Sequence, residues 1–136
     1  MKKLLILICG LSLIGCGRAP HTKALLPYIE NFEQTFKASA SSVQVKLSQA
    51  VPDFADAVCN KGTVLISLDS WLEFSEVRRQ ALVIHELGHC ASNRKEHVEE
   101  VFADGCFKSF MSANIDSDDC LSTHWDELVQ EMKEHL

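Results

Sequence analysis

His85, Glu86 and His89 stand in the order H-E-x-x-H within the run Ile84-His85-Glu86-Leu87-Gly88-His89. On a helix, residues four apart share a face about 6 Å apart along the axis, so two imidazoles can reach one metal ion. Glu86 is rotated from His85 by roughly 100°. It would stand beside such an ion rather than on it, where a carboxylate can take a proton from water. That is the ligand and base set of a zinc peptidase. A hydrolytic zinc needs three protein ligands and one open position, so a third ligand must come from beyond His89. His97, Glu99 and Glu100 compete for that place, with Asp104 further along. Cys90 is set aside because it points off the histidine face and thiolates suit closed structural sites.

The elements that must position these groups are readable from apolar spacing. Leu25, Ile29, Phe32 and Phe36 recur at helical intervals within Ala24 to Ala38, with Pro27 in the first turn. Val43 to Leu47 alternates apolar with polar residues, as a half-buried strand does. Residues 48–62 read as a loop or irregular strand, and Thr63 to Leu68 as a second strand. Ser75 can cap the metal helix, with Glu76 in its first turn; Ala81, Leu82, Ile84 and Leu87 form its buried side, and Asn93 is a left-handed stop. Leu121 to Leu136 reads as a closing helix. Helices and strands are segregated, so the expected class is α+β, a small sheet packed on the H-E-x-x-H helix.

The opening resembles a bacterial lipoprotein signal peptide. Lys2 and Lys3 precede an apolar run from Leu4 to Leu13, and Leu13-Ile14-Gly15-Cys16 is similar to a lipobox. The run is too short to span a bilayer, which takes about 20 residues. The resemblance implies cleavage after residue 15, lipidation of Cys16, a tether over 16–23 and a domain over 24–136. Gly17 rather than Asp follows the cysteine, which implies the outer membrane and a periplasm-facing domain. Removing 1–15 leaves 121 of 136 residues, and 11 of the 13 basic side chains against 19 acidic ones. Such a balance excludes nucleic-acid binding and electrostatic docking on anionic lipid, so the acyl chains alone would hold the membrane.

Cys59, Cys90, Cys106 and Cys120 remain, an even number in an oxidising compartment. Four cysteines allow three connectivities and the sequence does not choose among them. The favoured pairing is Cys59–Cys90 with Cys106–Cys120, the first tying the strand region to the end of the metal helix.

Two resemblances bear on the site. Glu100-Val101-Phe102-Ala103-Asp104 is similar to the E-x-x-A-D signature of gluzincin peptidases, in which the Glu binds zinc and the Asp orients a histidine. A wider one covers most of residues 25–133. Ile66 to Trp71, Arg79 to Cys90, Asn93 to His97 and Gly105-Cys106-Phe107-Lys108-Ser109-Phe110-Met111 resemble a group of small bacterial metallopeptidases, often lipoproteins, with a metzincin-like layout. This implies a minimal zincin-like fold, His97 as third ligand and Met111 as the Met-turn residue beneath the metal. The chain departs from the metzincin pattern at Ser92, which holds the glycine position, and at Lys95, which holds the third-histidine position. His97 comes two residues late, and the turn must absorb the extra length.

Together these readings imply one Zn2+ ion, a peptide or protein substrate and Glu86 as general base. Thr63–Leu68 would be the sheet edge along which an extended peptide lies; Asp69 and Trp71 stand at its end where they could line the cleft, Trp71 being read first as packing against the helix. The rival is a non-catalytic envelope lipoprotein whose zinc is structural, which would fill the fourth position with a side chain. His21, His124 and His135 are read as exposed or capping residues without a role.

Overall fold

A computed structural model describes residues 22–136; Cys16, the signal segment and most of the tether lie outside them. Thr22 already belongs to the domain, since its amide donates to the Val45 carbonyl and its hydroxyl accepts from the Leu47 amide. A 3-10 turn at Lys23–Leu25 leads into α1, Leu26–Phe36, which begins with Pro27 and stops where Lys37 takes a φ of 55°. Leu25, Ile29, Phe32 and Phe36 are all buried.

The sheet has three strands in the order β1-β3-β2: β1 is Gln44–Ser48, β2 Ala57–Asn60 and β3 Thr63–Ser67. β1 runs parallel to β3 and β2 antiparallel to it. The tight link at Lys61 and Gly62 uses positive φ at both residues (48° and 77°). Val45, Val64 and Ile66 point into the core. Each fully buried side chain of that size is worth about 1.5–3 kcal/mol. Two expectations are corrected here. Residues 57–60 form a regular strand, and β3 is the central strand rather than an edge. With β1 on one side and β2 on the other, β3 has no ladder left to offer a peptide.

β3 ends at Ser67, whose hydroxyl caps a short helix α2, Leu68–Glu73. The H-E-x-x-H helix α3, Glu76–Cys90, starts at Ser75, which accepts from the Arg78 amide. It is buried all round from Ala81 to Gly88, because α1, the sheet and α4 all pack on it. Its end is built for a change of direction: Asn93 takes a φ of 55° and the Arg94 amide returns to the Gly88 carbonyl at 3.0 Å. The closing helix α4, Asp118–Glu134, starts earlier than its apolar pattern because Ser117 caps it and Asp118 and Asp119 suit its first turn. No helix among the described residues is long and apolar enough to cross a membrane.

Two disulfides join Cys59 to Cys90 and Cys106 to Cys120, the favoured connectivity. The first fastens β2 to the last residue of α3 across 31 residues. Loop-closure entropy makes that tie worth about 3–4 kcal/mol. Replacing both Cys59 and Cys90 by Ala should lower the unfolding free energy by about that amount, read by urea denaturation. A loss below about 1 kcal/mol would show that the sheet holds α3 without it.

Candidate metal centre

α3 places His85 and His89 one turn apart, and both Nε2 atoms turn to the same point, 3.0 Å from one another. The chain leaving α3 bends back so that His97 brings its Nε2 within 3.2 Å of that of His89. Val98 fixes this return, its amide donating to the Met111 carbonyl at 2.8 Å. The two residues beyond the metzincin spacing are absorbed in the bend around Asn93.

Tautomers decide what this cluster can hold. His85 Nδ1–H donates to the Phe110 carbonyl at 2.8 Å and His89 Nδ1–H to the Arg94 carbonyl at 2.6 Å. A neutral ring that donates through Nδ1 has only a lone pair at Nε2. Two such lone pairs facing at 3.0 Å repel unless a cation lies between them. Protonation does not supply it. Burial pushes His85 down to about 4, against the raising effect of the Phe110 carbonyl and helped by His89 and His97. Burial likewise lowers His89, against the Arg94 carbonyl. A tetrahedral zinc with Zn–N bonds of ~2.05 Å sets its nitrogens about 3.3 Å apart, so the spacings of 3.0 and 3.2 Å fit such an ion.

Glu86 lies beside this cluster, its Oε1 4.0 Å from His85 Nε2. The residue is buried and its Oε2 makes no hydrogen bond. Burial raises its pKa from 4.5 to about 7. Below α3, Met111 is fully buried. A methyl built on Gly88 would come within 2.6 Å of its sulfur and 2.7 Å of the Met132 methyl, so the bare backbone at Gly88 is what lets both methionines close up on α3.

Comparison with protein-family models, with curated proteins and with solved structures finds no match to this chain. The site is therefore read from its own residues. The other candidate ligands are engaged elsewhere. Glu100 pairs with Lys108 at 3.9 Å on an exposed surface, and Glu99 accepts from the Ala113 amide at 3.0 Å. Asp104 does bind a histidine, but it is His124, at 2.7 Å, whose ring stacks on Phe102. That hydrogen bond holds the Asp104 carboxyl below its usual range. His124, read as roleless, is thus a structural partner at the kink of α4. Cys90 is committed to its disulfide.

The three histidines and Glu86 open into a cleft of about 590 Å3, walled by β2 and Phe54 on one side and by Ala113 to Ile115 on the other. Trp71 is not part of it. The indole packs edge-on against Tyr28, and Arg79 donates to its carbonyl. Asp69 faces a separate depression with Asp53 and Asp56.

Sequence reasoning missed the groups that orient the rings. The Phe110 and Arg94 carbonyls carry no side-chain signature. Glu131 on α4 binds both Arg94 and Ser109. Its one trace in the sequence is a carboxylate flanking the apolar stripe of Leu128 and Met132.

Proposed function

We propose that this chain is a zinc-dependent metallopeptidase with a minimal zincin-like domain, tethered in the cell envelope by lipid at Cys16. The observation that carries the reading is the convergence of three histidine Nε2 atoms beside a buried carboxylate with an oxygen to spare. His85, His89 and His97 would hold the ion. Zinc there supplies Lewis acidity toward water and toward a peptide carbonyl. Glu86, poised near neutral pH, takes a proton from the attacking water and hands it to the leaving amine. Met111 forms the apolar floor.

The outer edge of β2 pairs with no strand among the described residues and lines the cleft. It replaces β3 as the strand on which an extended peptide would lie. Phe54, 91% exposed at the lip, offers an apolar contact to a substrate side chain. A purely structural zinc would want a fourth side chain; Cys90 is committed to its disulfide and Glu100 lines a different depression from the three histidines.

The test is digestion of a mixed peptide library by the oxidised domain with and without zinc, read by mass spectrometry. Zinc-dependent cleavage supports the reading. A protein that binds zinc stoichiometrically and cuts nothing would instead be the structural-zinc lipoprotein.

A further inference from the structure

Two short backbone segments aim the metal-binding rings. One follows α3 and carries the Arg94 carbonyl that receives His89 Nδ1–H; the other carries the Phe110 carbonyl that receives His85 Nδ1–H. Neither lies in a regular helix or strand. Backbone bonds from Arg94 to Gly88 and from Val98 to Met111 tie these segments locally, and a single side chain reaches both of them. The Arg94 guanidinium grips the Glu131 carboxylate with both of its terminal nitrogens. The Ser109 hydroxyl donates to Glu131 Oε2 at 2.8 Å while accepting from the Met111 amide at 3.0 Å. Ser109 is buried, and the Arg94 and Glu131 side chains are only 12% and 20% exposed. The next residue, Met132, packs against Gly88 between the two histidines.

We infer that Glu131 is a positioning residue for the metal centre: one carboxylate on α4 locks the two carbonyls that set the tautomer and direction of His85 and His89. The inference rests on reading the histidine cluster as a metal site. The physical basis is the number of acceptors. Glu131 serves Arg94 twice and Ser109 once, with His135 Nδ1 3.5 Å from its Oε1, and only a carboxylate has the lone pairs and charge to do so in this half-buried setting. An ordinary surface salt bridge would contribute little and would leave the rings alone. A clamp on both carbonyls should change ligand basicity and aim, and partners of that kind typically govern metal affinity by 10–100-fold.

Glu131→Gln keeps the size and removes the charge. Two readouts decide. In zinc-free protein, long-range proton–nitrogen spectra should show His85 and His89 protonated at Nδ1 in the parent and a mixture of tautomers in the variant. By competition with a chromophoric chelator, zinc affinity should fall tenfold or more. Ser109→Ala cuts only the arm to the Phe110 segment, so His85 alone should lose its single tautomer; this variant decides the matter should Glu131→Gln not fold. Unchanged tautomers, or zinc affinity within twofold of the parent in a folded variant, would overturn the clamp. A parent that takes up no zinc while its rings still respond to Glu131 would remove the metal reading and keep the ring-orienting role.

Discussion

Glu86→Gln should lose about a hundredfold to ten-thousandfold in peptide hydrolysis while still binding zinc and gaining stability in the metal-free state. The loss follows from removing the general base, a role worth about 10²–10⁴ in rate. The gain follows from burial. The Glu86 carboxyl titrates at about 7 in the fold against 4.5 as a model group. Between those values the folded chain binds more protons than the unfolded one, so stability falls as pH rises through that window and stays low above it. The deficit amounts to about 3 kcal/mol above pH 7. An amide does not ionise, so the variant escapes it. Parent and variant should be about equally stable at pH 4, and the variant should be ahead at pH 8, both measured by urea denaturation with a chelator present. His85 shifts in the opposite sense but is common to both proteins and cancels. Retained hydrolysis would strip Glu86 of its role, and equal stability at both pH values would show that water reaches its carboxylate.

Zinc itself should have the second large effect. Without it, the lone pairs of His85 and His89 face each other at 3.0 Å. An ion that binds only the folded chain stabilises it by about 4 kcal/mol at a free concentration a thousandfold above Kd. For a domain of this size that is on the order of 15 °C in Tm. The pH dependence is also set by burial. His85 titrates at about 4, well below the 6.5 of a free ring. From 6.5 downward the unfolded state takes up protons that the native ring refuses, so the metal-free fold loses stability as pH falls toward 4. The same shift keeps the His85 lone pair available, and zinc should still raise Tm at pH 6. His89→Ala should abolish most of the rise. A Tm indifferent to zinc at pH 7 would leave the cluster as a set of strained neutral rings.

What the sequence disclosed and what it hid divide along a physical line. Side-chain chemistry at helical spacing was legible: His85, Glu86 and His89 share a helix, His97 returns to them, and the apolar stripe from Leu25 to Phe36 is buried as its period implies. The left-handed stop at Asn93 followed from its side chain. β2 was not legible, because Ala57-Val58-Cys59-Asn60 is too short to show an alternation and is defined by its pairing with β3. Without β2, β3 looked like an edge. The Phe110 and Arg94 carbonyls were invisible because every residue carries a carbonyl. Glu131 was invisible because its partners lie 22 and 37 residues away in sequence.

Hydrolysis at this site requires three imidazole nitrogens around one ion with a place left open. X-ray absorption at the zinc edge of the oxidised, zinc-loaded domain measures that shell directly. The expected spectrum has three histidine nitrogens and one further light atom at about 2.0 Å. A sulfur in the shell, four protein ligands, or a domain that emerges from dialysis without zinc would contradict it.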